Sequence, residues 1–266
     1  MVEVESNRDV WIFSLDGPTR TRLTRAEWSD GFPIWGTEGR TVFFRGRSGI
    51  SSVAADGESR PTSFAIDGYP RDISPDGRWF VLEHRNEEDS HDIRLAEMRD
   101  GRPAEVRDLV ATDADESVPA FSSGGDLLAY TADATGRGEV VVKPFSDAGS
   151  VGSGVQISLA GGSHPRWAPT GNRLFFVAQN EGRPVIMGVE ANRIGDRVEV
   201  VGAPVLVFTG EAARSDLEEY GDRLYEVLGD GSEFLVVDKF LGGNPEVVLW
   251  EGWTTPRETQ SGSRPR

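Results

Sequence analysis

Tyr69-Pro70-Arg71-Asp72-Ile73-Ser74-Pro75-Asp76-Gly77-Arg78, followed by Trp79-Phe80-Val81-Leu82, is the stretch that decides the fold. Pro presets φ, Asp bonds back to the chain and Gly accepts a positive φ, so Ser74 to Gly77 reads as a tight turn. Pro70 sits at a strand start, where a missing N–H is tolerated. The apolar run after the turn reads as a strand buried on both faces.

The same pattern returns along the chain. Phe32-Pro33-Ile34-Trp35 leads through Gly39 to Thr41-Val42-Phe43-Phe44, and Val118-Pro119-Ala120-Phe121 through Gly125 to Leu127-Leu128-Ala129-Tyr130. His164-Pro165-Arg166-Trp167 leads through Gly171 to Arg173-Leu174-Phe175-Phe176. A weaker copy runs from Tyr225 through Gly231 to Phe234-Leu235-Val236-Val237. The first three intervals between turn glycines bracket the roughly 40–50 residues of one four-stranded propeller blade. The last is longer because Thr209 to Asp222 is inserted, and Gly210 to Tyr220 is the one plausible helix. Each repeat continues with an alternating third strand (Asp92 to Met98, Glu139 to Phe145) and a short fourth. Asp9 to Leu15 and Arg20 to Thr24 read as the third and fourth strands of a partial blade, and Glu246 to Trp250 as the third strand of the last.

The expectation is an all-β β-propeller of four-stranded antiparallel blades, with five recognisable repeats and a partial blade, in an incomplete six-bladed ring. One domain covers 1–253, with repeats near 32–66, 69–110, 117–159, 163–208 and 225–253 and the partial blade at 9–24; 254–266 reads as a disordered tail. About 21 strands are expected, against 24 for six closed blades. Trp35, Phe121 and Trp167 are expected to plug the spaces between blades.

Composition agrees. The 266 residues carry 32 glycines, which suits many short strands joined by turns better than helices. The net charge of −16 repels phosphate backbones, so nucleic acid is not an expected partner; a protein or peptide, especially a basic one, is. There is no cysteine, hence no disulfide and no Cys-based zinc site. Met1 to Glu5 lacks the basic and apolar regions of a signal peptide, and no apolar run nears the roughly 20 residues of a membrane helix, so the chain reads as soluble, without direct membrane insertion.

The motifs resemble the TolB-like (PD40, WD40-like) β-propellers. The likeness is closest to propellers that follow the kinase domain in some bacterial serine/threonine protein kinases. Ser74 to Trp79, Gly138 to Phe145, Gly161 to Trp167, and Leu224 to Val227 with Gly231 to Leu235 carry it, over roughly Asp9 to Trp253. The resemblance implies a propeller fold, and a periplasmic or extracytoplasmic setting. Ser-Pro-Asp-Gly itself is intact only at Ser74 to Gly77.

No catalytic set stands out, and neither a catalytic residue nor a cofactor is expected. No Gly-x-Ser-x-Gly, P-loop or His-Arg-Asp run occurs. Ser163-His164 and Ser90-His91 are neighbours, and neighbours in extended chain point to opposite sides, so neither is expected to form a dyad. Glu83 to Asp92 and Asp113 to Glu116 gather His and carboxylates, but solvated loops explain them better than a metal site. The loops Ala26 to Gly31, Ile66 to Gly68, Thr112 to Ser117 and Ala160 to His164 are expected to converge on one face. Asp30, Asp67, Asp113, Asp115, Glu116 and His164 would rim it, as an acidic mouth for a basic peptide or cation. The function expected is a non-catalytic protein-interaction or sensing module. The alternative is the accessory propeller of a larger enzyme, a bacterial serine/threonine kinase or a prolyl-oligopeptidase-like peptidase, whose catalytic domain this chain lacks.

Overall fold

The computed structural model describes residues 8–15, 17, 19–134, 136–209, 225–238 and 246–251. These hold 21 strands and no helix, in six antiparallel sheets. Each sheet is called a blade. Blade 1 is β1 (Trp11–Phe13) and β2 (Arg20–Arg22). Blade 2 is β3 (Gly31–Trp35), β4 (Thr41–Gly46), β5 (Gly49–Ala54) and β6 (Thr62–Ser63). Blade 3 is β7 (Tyr69–Ile73), β8 (Trp79–Arg85), β9 (His91–Arg99) and β10 (Arg102–Val110). Blade 4 is β11 (Asp115–Phe121), β12 (Leu127–Asp133), β13 (Glu139–Pro144) and β14 (Val155–Gln156). Blade 5 is β15 (Ser163–Trp167), β16 (Arg173–Asn180), β17 (Arg183–Ile194) and β18 (Arg197–Thr209). Blade 6 is β19 (Tyr225–Leu228), β20 (Glu233–Asp238) and β21 (Glu246–Glu251). Strands follow one another in sequence order within every blade, and the first strands of blades 2 to 6 lie side by side.

The turns between first and second strands in blades 2, 3, 4 and 6 hold the same backbone hydrogen bond despite their different residues. Gly77 N donates to Ser74 O at 2.8 Å, Gly125 N to Ser122 O at 2.9 Å, Gly39 N to Gly36 O at 2.9 Å and Gly231 N to Leu228 O at 3.0 Å. Gly77 sits at φ 73°, which a side chain resists. Ser74 Oγ also accepts from Trp79 N at 2.8 Å, and Ser122 Oγ from Leu127 N at 3.0 Å, so a hydroxyl clamps both better-formed turns.

The core lies between the blades. Ile34, Phe43 and Ile50 of blade 2 pack on Ile73, Phe80 and Leu82 of blade 3. Trp79, Val81 and Leu95 meet Phe121, Leu128 and Phe145 of blade 4. Ala120, Leu127 and Val140 meet Trp167, Leu174 and Phe176 of blade 5. Phe175 and Val177 meet Tyr225, Val227 and Phe234 of blade 6. Val10 and Leu23 of blade 1 cover Val42, Phe44 and Val53 of blade 2. Each fully buried Leu, Ile or Phe here contributes about 1.5–3 kcal/mol, so the second strands are the main store of stability. Among the described residues no ladder joins blade 6 to blade 1: β21 pairs with β20, and β1 with β2. The direct pairing of Val10–Phe13 with Val247–Leu249 that would close a five-bladed ring is not formed.

Several expectations are corrected. Trp35 is 48% exposed, whereas Phe121 and Trp167 are 5% and 7% exposed. Trp167 is covered by the first strand of the preceding blade, to which its indole N–H donates (Ala120 O, 3.2 Å). Blade 1 has no such first strand among the described residues, so nothing equivalent covers Trp35. Fourth strands are not uniformly short: β10 has 9 residues and β18 has 13. Strand β11 begins at Asp115 and β15 at Ser163, so Asp115, Glu116 and His164 stand on strands rather than in loops. The helix expected at Gly210 to Tyr220 and the tail at 254–266 lie outside the described residues.

Candidate functional site

The inner strands of blades 2 to 5 each carry one extra residue, whereas β19 of blade 6 pairs in unbroken register. Pairing slips between Gly31 and Ile34, Pro70 and Asp72, Ser117 and Ala120, and Ser163 and Arg166. In three blades the bulge puts the residue before proline at positive φ: Phe32 at 54°, Val118 at 51° and His164 at 55°. These are costly for a side chain, most of all for β-branched Val118. Counted back from the turn glycine, Pro70 occupies this place in blade 3, and proline cannot take a positive φ. Blade 3 therefore seats its extra residue one place later, at Arg71.

Beyond the bulge the inner strands enclose a cavity of about 260 Å3 at the end of the ring where the glycine turns lie. Arg71, Asp72 and Phe121 line it with Arg166, Trp167 and Glu226. Arg71 is 7% exposed. Its Nη2 donates to Glu83 Oε1 at 2.8 Å, and the rings of Phe32 and Tyr69 lie 5.2 and 5.8 Å from its guanidinium carbon. The other Glu83 oxygen accepts from Val118 N at 3.0 Å, and His91 Nε2 lies 3.7 Å from Glu83 Oε1. Asp72 takes the N–H of Ile73 on one oxygen and that of Phe121 on the other, both at 2.8 Å, tying blade 3 to blade 4. Arg166 is 8% exposed and donates to Pro165 O at 2.9 Å. Tyr225 donates its hydroxyl to His164 O at 2.9 Å, and burial drives its phenol well above the usual range, keeping it a neutral donor. The cavity thus offers fixed charges of both signs beside an indole, a setting for a polar side chain or chain end.

The expected acidic rim lies at the opposite end of the inner strands, and most of its members are engaged locally. Asp30 is 4% exposed; burial raises its pKa, while hydrogen bonds with the side chains of Thr24 and Trp28 oppose the rise. Asp67 accepts from Arg45 Nη1 at 2.6 Å, which holds its carboxyl below the usual range. Asp115 lies 3.2 Å from His91 Nδ1. Glu116 is buried and takes the Thr112 hydroxyl and backbone N–H, capping its own loop. Asp113 is exposed. Among the described residues no three His, Asp or Glu side chains gather as a metal-ligand group.

One expectation about chemistry is overturned. Ser163 Oγ and His164 Nδ1 are 2.9 Å apart. The opposition of neighbours holds only for extended chain, and the bulge at His164 removes it. The two buried arginines were a missed signal: Pro-Arg occurs at Pro70-Arg71 and Pro165-Arg166, on strands whose neighbours are apolar.

His84, beside Asp67, links this end of the ring to pH. Its Nδ1 is buried with no hydrogen-bond partner among the described residues. Burial, with Arg94 next in weight, pushes its pKa down, and Asp67, 3.7 Å away, only partly offsets this. A histidine depressed in the folded state stabilises the fold fully above its unfolded value near 6.5, and that stability is lost as the pH falls below it. Urea midpoints are expected to fall between pH 7.5 and 5.5, and less steeply in His84→Gln. Parallel curves for the two proteins would refute the assignment.

No protein-family model matches the chain, and no curated protein matches it in sequence. Solved structures do. TolB from Acinetobacter baumannii is similar with a TM-score of 0.65 at 14% identity, over 89% of this chain and 55% of that one. The β-propeller domain of Myceliophteria thermophila Cps50 (Swd1) is similar with a TM-score of 0.55 at 13% identity, over 87% of this chain and 72% of that one. The fold is a β-propeller. A Mycobacterium tuberculosis puromycin-hydrolyzing peptidase is also similar to this propeller, with a TM-score of 0.56 at 22% identity, over 88% of this chain and 40% of that one. The propeller therefore spans little more than half of the TolB structure and less than half of the peptidase. Identities this low speak for the fold and not for a shared activity.

Proposed function

We propose that this propeller is a non-catalytic interaction module that receives a polar segment of a partner protein in the cavity at the turn end of its channel. The observation that carries the reading is the pair of buried guanidiniums, Arg71 and Arg166, lining one cavity with Glu226 and Trp167. Fixed charges on rigid strands orient a partner's polar groups at little cost in loop ordering. The likeness to TolB and to the Cps50 propeller supports an interaction role. The net charge of −16 favours encounter with a basic segment. A photo-crosslinking residue at Ser123, on the cavity, tests the reading against one at exposed Glu105 on β10. In the source cell the Ser123 position is expected to yield a discrete protein adduct that Glu105 does not. Adducts of equal yield, or none at Ser123, would overturn it.

A second reading makes the propeller the accessory part of an enzyme. The peptidase likeness favours it, because that structure extends well beyond the matched part. A serine/threonine kinase is the other candidate, on the motifs from Ser74 to Trp79 and Gly138 to Phe145. In either reading this chain is expected to turn over no peptide, ester or phosphoester substrate. The Ser163–His164 contact is the place to challenge that expectation. Hydrolysis that survives stringent purification and disappears in both Ser163→Ala and His164→Gln would make the chain an enzyme.

A further inference from the structure

A second cavity, of about 170 Å3, lies on blade 2 at the opposite end of the inner strands from the channel cavity. By volume it admits about five waters at ~30 Å3 each, or one aminoalkyl group. Its walls are Trp28, Asp30, Phe44, Gly46, Arg47 and Ser51, with two serines at its margin. Asp30 and Ser51 are buried, at 4% and 6% exposed, while Trp28 is 41% exposed. Trp28 and Asp30, two residues apart in the chain, line the same space. Gly46 keeps the space open: a Cβ there would stand 3.2 Å from Ser51 Oγ, 3.4 Å from Asp30 Oδ1 and 3.5 Å from the Phe44 ring. The guanidinium carbon of Arg47 lies 5.4 Å from the centre of the Trp28 ring. A cation of the chain's own thus already stands on the aromatic wall.

A carboxylate, a hydroxyl and an indole face around one small space are the chemistry that recognises a cation carried on an alkyl stem. The carboxylate and hydroxyl accept the ammonium hydrogens, and the aromatic rings cover the methylenes. We propose that this pocket is a binding site for an alkylammonium group, with Arg47 as the internal competitor that an incoming lysine side chain displaces from Trp28. The site is separate from the channel cavity, so its test leaves the reading given above untouched.

The experiment titrates the 15N-labelled propeller with Nα-acetyl-lysine N-methylamide and with n-butylammonium. It follows the indole N–H signal of Trp28, assigned through Trp28→Phe. Saturable shifts with both probes are expected. Tighter binding of the lysine derivative marks a polypeptide as the source of the cation, and equal binding marks a free amine. Gly46→Ala, which fills part of the space while leaving the Asp30 carboxylate in place, is expected to weaken binding at least ten-fold. Arg47→Ala is expected to tighten it about two- to five-fold, the worth of one exposed cation–π contact. Equal shifts with the uncharged Nα-acetyl-norleucine N-methylamide, or unchanged affinity in folded Gly46→Ala, would overturn the proposal. Arg47→Ala, a change at a half-exposed hairpin position, keeps the test decisive should Gly46→Ala fail to fold: no response to any cation in that variant would also overturn it.

Discussion

Replacing Trp167 by alanine is expected to lower the free energy of unfolding by about 3–5 kcal/mol, the range for removing a large aromatic from a core. The indole is 7% exposed and lies in the largest of the inter-blade clusters, against Ala120, Leu174 and Phe176. It also supplies the N–H that Ala120 O accepts at 3.2 Å. The substitution therefore opens a void and removes a hydrogen-bond donor from a buried carbonyl. Trp35→Ala is the matched control. It occupies the same place in blade 2 but is 48% exposed, and its loss is expected to cost less than about 1 kcal/mol. Urea denaturation of the two variants checks both values. Similar losses for the pair would mean that the place in the repeat, rather than the cover supplied by the neighbouring blade, sets the cost.

Removing the Glu83 carboxylate is the second large effect. Glu83 and Arg71 form a buried ion pair, with side chains 4% and 7% exposed at 2.8 Å. Deleting one member of such a pair costs about 3–5 kcal/mol, because the surviving charge stays buried while this short ion pair is lost. Glu83 also accepts the Val118 N–H at 3.0 Å, next to the bulge at positive φ. Glu83→Ala loses both roles. Glu83→Gln keeps an acceptor for Val118 and loses only the charge, so it is expected to fall between wild type and alanine. Thermal unfolding followed by near-ultraviolet circular dichroism ranks the three. Equal stability of Glu83→Ala and wild type would show that the pair contributes nothing beyond what water supplies.

The repeat was legible in the sequence because its signals are local. A turn that needs positive φ demands glycine, and a strand buried on both faces demands an unbroken apolar run. Both survive drift, as the shared hydrogen bonds at Gly39, Gly77, Gly125 and Gly231 show. The inner-strand bulges were not legible, since Phe32, Val118 and His164 carry no residue type that announces a positive φ. The Ser163–His164 contact was missed for that reason. The exposure of Trp35 depends on a neighbouring strand, and no window of sequence around Trp35 contains that information. Asp30, Asp67, Asp113, Asp115, Glu116 and His164, expected as an acidic rim, lie at or just before the starts of the inner strands, with Asp30 and Glu116 buried. Their partners were not legible, because Arg45, His91 and Thr112, which engage three of them, are 22, 24 and 4 residues away in the chain.

Among the described residues each apolar cluster that spans two blades joins neighbours in the chain, as in a stack. In a closed ring every member leans on two neighbours, and no member can leave without breaking two contacts. In a stack the terminal members lean on one, and stability is set by nearest-neighbour terms. Blade 1 is held through a small cluster of Val10 and Leu23 against Val42, Phe44 and Val53. Among the described residues this is its one apolar cluster, so blade 1 is expected to detach while blades 3 to 5, packed on both sides, remain folded. Opening then begins at an end and travels inward, and the cation pocket, whose Trp28 and Asp30 follow blade 1 in the chain, sits at the first place it reaches.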